Sequence, residues 1–136
     1  MKILLTILIL LSGSFQLLAQ ISSRCDSVID NQYLESEPQY GKGLEDVMNY
    51  SIQKLTPLLS ESMKQSGLIP TRMIAKLLIN QAGQVEDVEF IELEVTEEYK
   101  LKVKNEIQTM KWKPALMDDK PVCAIYFWNI RCFKWG

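Results

Sequence analysis

Histidine is absent from the 136 residues. With it go the commonest general base, the commonest metal ligand and the side chain that changes charge near neutral pH. The cysteines, Cys25, Cys123 and Cys132, match no zinc-binding spacing, and Cys132 as a nucleophile would lack an imidazole to activate it. There is no glycine-rich phosphate loop, no internal repeat and no low-complexity tract. Neither sign of charge dominates, with 15 Lys and Arg against 17 Asp and Glu, and the basic residues do not cluster. That balance argues against nucleic acid, whose affinity comes largely from neutralised phosphates. The acidic pairs Glu97-Glu98 and Asp118-Asp119 are adjacent in sequence and are read as a solvated helix start and a solvated turn. These absences point away from an enzyme and imply no cofactor and no metal.

What is present begins at the N-terminus. Lys2 is followed by an almost purely apolar run from Ile3 to Leu11, then Ser12-Gly13-Ser14 and a small-residue site near Ala19-Gln20. The pattern is that of a secretory signal peptide over residues 1–20, so the mature protein is expected in the periplasm or otherwise exported. The run is short for a span of about 20 residues; an uncleaved inner-membrane anchor is the alternative, and only then would the chain touch a membrane. No cysteine follows the apolar run closely enough for a lipoprotein anchor. Export makes disulfides permissible. Cys123 and Cys132 share one expected strand on opposite faces, beyond bonding reach. An internal bridge must then use Cys25, and three unpaired cysteines are the other reading.

Residues 21–42 are mostly polar, with Pro38 and Gly41 as breakers, and read as an extended lead-in. Residues 43–136 form the domain. Leu44, Val47, Met48, Ile52, Leu55, Leu58, Leu59 and Met63 recur at helical spacing from Gly43 to about Ser66. Pro57 interrupts them, so two consecutive helices are predicted, the second capped by Thr56 and stopped by Gly67. A strand follows from Thr71 to Ile79, with Met73, Ala75, Leu77 and Ile79 on one face. Asn80 to Gly83 make a hairpin turn, and a second strand runs from Val85 to about Glu92. The parity change between Val85 and Val88 implies a bulge near Glu86-Asp87. Thr96 caps a further helix with Glu97 and Glu98 in its first turn and Tyr99, Val103, Ile107 and Met110 as its apolar stripe. Pro114 ends it, and Val122 to Phe133 read as the third strand. The expected fold is α+β: a two-layer sandwich with helices on one face of a three-stranded antiparallel sheet.

On these elements sits a set of motifs. Ala75 to Val88, with its polar turn ending at Gly83, resembles the first hairpin of the TonB C-terminal domain family. Met110-Lys111-Trp112-Lys113-Pro114 followed by Lys120-Pro121-Val122 is similar to the family's Trp-x-Pro before the last strand and the Lys-Pro-Val that opens it. Tyr40 to Glu45 is similar to the Phe-Pro-Gly-Gly lead-in of Bacteroidetes members. The resemblance covers roughly residues 33–133. The chain departs from the family at Thr56-Pro57, where Tyr-Pro is usual, and at Pro70, near a usual glycine. It also lacks a proline-rich linker, which sets it apart from the energy transducers that span the periplasm.

The resemblance implies that an extended segment of an outer-membrane receptor is recruited along the last strand. By analogy of register with that family, Val122, Ala124, Tyr126, Trp128, Ile130 and Cys132 are expected to face the helices. Cys123, Ile125, Phe127, Asn129, Arg131 and Phe133 take the other face, where Ile74, Leu78 and Ile91 make the surface too apolar for an open sheet. Either the lead-in covers that face or it receives a protein partner or a second copy. The last strand is also expected at the sheet edge, free for strand addition or blocked by the tail or lead-in. The candidate contact residues are Ile125, Phe127, Asn129, Arg131 and Phe133; Gly83, Trp112, Pro114, Lys120, Pro121 and Val122 are structural. Alternatives are a homo-oligomeric structural or envelope-assembly protein, such as a homodimer, and, with the N-terminus retained, an anchored energy transducer.

Overall fold

A computed structural model describes residues 24–131. The signal-peptide reading of residues 1–20 and the expected roles of Cys132 and Phe133 lie outside the described residues. Helix α1 spans Leu44–Tyr50, a π-helical segment Ser51–Leu55 and helix α2 Thr56–Ser66; strands β1 (Arg72–Ile79) and β2 (Val85–Leu93) follow, then α3 (Glu97–Ile107), β3 (Ala115–Met117), β4 (Lys120–Val122) and β5 (Ala124–Arg131). The main sheet is antiparallel with order β2-β1-β5. The α+β class, the three-stranded sheet and the position of the last strand at its edge are as the sequence predicts.

The alternation in β1 determines which side is core. Met73, Ala75, Leu77 and Ile79 are fully buried and pack in one cluster with Val47, Leu55 and Leu59 of the first helical run, the α3 stripe Tyr99, Val103 and Ile107, and Trp128 of β5. Fully burying one large apolar side chain is worth about 1.5–3 kcal/mol, so this layer dominates the driving force.

Three local expectations are corrected. Thr56 is not a cap: it is helical itself, and the chain passes from α1 to α2 without leaving the helix. Pro57 has no N–H to offer the carbonyl four residues back. The chain responds with a π segment, in which the Thr56 N–H reaches Ser51 O five residues away and the Thr56 hydroxyl donates to the same oxygen at 3.2 Å. Second, Val122 does not begin the long third strand. Lys120-Pro121-Val122 pair with Ala115-Leu116-Met117 as a separate hairpin, turned by Asp118 and Asp119, both at positive φ, and β5 starts only at Ala124. Third, Thr96 stands at the α3 N-cap with extended backbone, but its hydroxyl makes no capping bond.

The expected bulge is present: Leu78 faces Asp87 while Ile79 faces Val85, leaving Glu86 as the extra residue. A second bulge, unforeseen, leaves Ile91 extra between Phe90 and Glu92.

Gly83, Trp112 and Pro114 converge. The Trp112 N–H donates to Gly83 O at 2.8 Å, and its buried ring sits 5.4 Å from Tyr40 and 4.7 Å from Tyr126, centroid to centroid. The aromatic group continues to Tyr50, 5.6 Å from Tyr40. Tyr50 ties the first helical run to the end of α3, donating to Glu106 O at 2.7 Å with a carboxylate oxygen of Glu106 at 3.0 Å.

Burial, reinforced by the hydrogen bond and negative charge of Glu106, pushes the Tyr50 phenol up from 10.0 to about 12. The folded state therefore holds this proton more tightly than the unfolded chain. Its stabilising effect is complete below pH 10.0 and lost as pH rises through about 12. Denaturant melts across that window should show stability falling with pH, and Tyr50→Phe should make the fall shallower.

Candidate functional site

The two edges of the sheet differ. The β2 edge carries Glu86, Asp87, Glu89 and Glu92 and is broken by the bulges at Glu86 and Ile91. Charges and bulges are the ordinary means of keeping an edge from pairing with foreign strands. The β5 edge has neither protection. Its register with β1 is unbroken from Ala124 to Arg131, and the seven residues from Ala124 to Ile130 carry no charge. Among the described residues β5 has β1 as its single strand neighbour, so the other side of its backbone pairs with no strand, although Asn31, Glu37 and Pro38 of the lead-in lie near Ile125 to Phe127.

Alongside that edge runs a groove of about 770 Å³, lined by α1 and the start of the π segment on one side and β5 on the other. Leu44, Met48 and Ile52 form the helical wall and are 69%, 51% and 62% exposed. Tyr126, Trp128 and Ile130 contribute the core-facing side of β5, and Phe127, Asn129 and Arg131 also line the groove. The sequence reading placed Leu44, Met48 and Ile52 on the apolar stripe of the first helical run; Val47, Leu55 and Leu59 of that stripe are buried, and these three are not.

The helix-free face is covered only in part. Cys25 and Cys123 are disulfide-bonded, with Cα atoms 5.8 Å apart, and Ile29 N–H donates to Cys123 O at 3.0 Å. Cys25 N–H donates to a Glu86 carboxylate oxygen at 3.1 Å. The lead-in thus lies across the Cys123 end of the face, with Val28 beside Lys76, Leu78 and Ile125. It then runs antiparallel to β3 through bridges at Ser36–Leu116 and Gln39–Lys113. Phe127, 57% exposed, and Ile91, 56% exposed, stay uncovered.

The sequence-predicted contact residues therefore separate. Ile125 is half-buried near the lead-in; Phe127, Asn129 and Arg131 are exposed; Phe133 lies outside the described residues. The alternation assigned to Ala124, Tyr126, Trp128 and Ile130 matches the burial along β5. Lys120, Pro121 and Val122 sit on the β3–β4 hairpin, away from the β5 edge they were expected to open. Comparison of the chain with protein-family models, with curated proteins and with solved structures finds no match.

Proposed function

We propose that this chain is an exported, TonB-like protein-binding domain that captures an extended segment of an envelope partner by strand addition beside β5. The observation that carries the reading is the β5 edge itself: regular, uncharged for seven residues, unpaired among the described residues, and faced by an apolar wall of Leu44, Met48 and Ile52. In strand addition main-chain hydrogen bonds supply affinity, while pockets for alternate side chains supply selectivity. The groove provides such a surface on the helix side of an added strand, and Phe127 provides one on the other. The motif resemblance makes a segment of an outer-membrane transport protein the favoured partner.

Crosslinking in the native envelope through a photoreactive residue at Asn129 identifies what is captured. With that partner in hand, Phe127→Glu and Met48→Asp should each weaken binding at least about tenfold, because each sets a carboxylate against an apolar contact. Both side chains are more than half exposed, so thermal melts should stay within a few degrees of the parent. Equal loss of folding and binding would place these side chains in the core and end the proposal.

A homodimer is the second reading, favoured by the same edge, since β5 can pair antiparallel with its own copy across a two-fold axis. Sedimentation over a wide concentration range separates the two: a monomer throughout supports capture of a foreign segment.

A further inference from the structure

Arg72 and Arg131 are directly opposite each other in the β1–β5 ladder. Cross-strand neighbours in this position have Cβ atoms roughly 4.5–5.5 Å apart, and like charges there repel. Both residues are exposed and share the helix-free face with Ile74 and Asn129. Neither takes part in an ion pair: the three among the described residues, Lys100–Glu97, Lys102–Glu98 and Lys104–Asp87, all use lysines. Every Asp and Glu of the sequence falls between Asp26 and Asp119, within the described residues. No side-chain carboxylate of this chain therefore forms an ion pair with either arginine. Arg131, the last residue of β5, also lines the groove beside that edge, which places positive charge free of an ion pair where an added strand would lie.

Resting on the strand-capture reading, we propose that the captured segment is an apolar strand carrying one carboxylate, and that this carboxylate is held between the guanidinium groups of Arg72 and Arg131. Guanidinium forks match carboxylates in planar geometry and form the stronger, charge-assisted class of hydrogen bond. The remainder of the surface argues the same way. The opposite edge, β2, carries Glu86, Asp87, Glu89 and Glu92 and no Lys or Arg of its own, with Lys104 paired to Asp87, so its acids outnumber the neighbouring cation and an acidic strand is disfavoured there relative to β5. A second copy's β2 is acidic too, but its two bulges break the ladder that pairing would require.

The test is selection of random nonapeptides displayed on phage against the full chain, its Arg131→Glu variant and a chain lacking residues 132–136. The proposal expects winners with alternating apolar residues and an Asp or Glu at one fixed position. Arg131→Glu should turn that position to Lys or Arg. For a synthetic winner, Arg72→Gln should lower affinity about tenfold, and the loss should shrink as NaCl is raised. Apolar winners without the acid, or an unchanged preference in Arg131→Glu, would overturn the carboxylate assignment and leave strand capture standing. Failure of every form to select extended peptides would overturn both. Selection only by the shortened chain would give the groove to the chain's own tail and overturn the assignment.

Discussion

Gly83→Ala is expected to abolish stable folding, although the change adds a single methyl group. Gly83 has φ of 79°, and a Cβ there would run into the backbone carbonyl of Trp112 and approach Pro114. The neighbour cannot swing aside. The Trp112 N–H is bound to Gly83 O, Gln84 is bridged to Lys111, and the indole is buried between Tyr40 and Tyr126. Gly67→Ala is the control. Gly67 has φ of 74°, but nothing lies within 4 Å of its would-be Cβ. The left-handed conformation alone costs about 1–2 kcal/mol, and Gly67→Ala should lose that much and no more. Gly83→Ala carries the same penalty and must also separate two paired strands of backbone, for a loss above about 4 kcal/mol, in the range reserved for a broken core. For a domain of this size each kcal/mol lowers Tm by roughly 4–8 °C. Matched thermal melts should leave Gly67→Ala folded and Gly83→Ala without a cooperative transition. Similar modest shifts for both would refute the close-approach account.

The comparison shows why some of the fold was legible in the residues and some was not. The strands and α3 are written in periods: Met73, Ala75, Leu77 and Ile79 alternate, and Tyr99, Val103 and Ile107 recur at helical spacing, so burial follows sequence directly. The Glu86 bulge could be seen because two valines changed parity. The Ile91 bulge could not, since Phe90 and Ile91 are both apolar and either parity looked acceptable. Around Pro57 the local rules allowed a break, and the π segment instead keeps Leu55 and Leu59 buried in the same core. The candidate site was half legible. The edge position of β5 was as expected, and its facing followed from the register carried over with the resemblance. The groove did not, because it exists only once α1 is set down beside β5, and no local period reports that distance. The break at Cys123 was equally hidden: an apolar run from Val122 to Trp128 reads as one strand until the disulfide and the Ile29 hydrogen bond fix Cys123 outside the ladder.

That disulfide carries the second large effect. Cys25 and Cys123 are 98 residues apart in sequence, so the bridge removes far more freedom from the unfolded chain than a short loop would. In the chain-entropy view a closed loop of about 100 residues stabilises by about 4.7 kcal/mol, and native bridges generally contribute about 2–5 kcal/mol. The double variant Cys25→Ser, Cys123→Ala avoids a buried hydroxyl, since Cys123 is 1% exposed. It should lower stability within that range. The fold itself should persist, because the lead-in keeps separate anchors: Gln39 and Lys113 exchange backbone hydrogen bonds at 3.0 and 2.7 Å, and Leu116 N–H reaches Ser36 O at 3.0 Å. Hydrogen exchange should therefore report two behaviours. The Ile29 amide, held by Cys123 O, should lose protection in the variant, while the amides of Gln39, Lys113 and Leu116 should keep theirs until global unfolding. Release of Ile29 and Val28 would also bare Leu78 and Ile125, widening the apolar face from Phe127 toward Lys76. Binding at the β5 edge does not need the lead-in, so a partner captured there should bind the variant as it binds the parent once both are folded. If the variant instead lost the partner at full stability, the contact surface would lie under the lead-in and not along the edge.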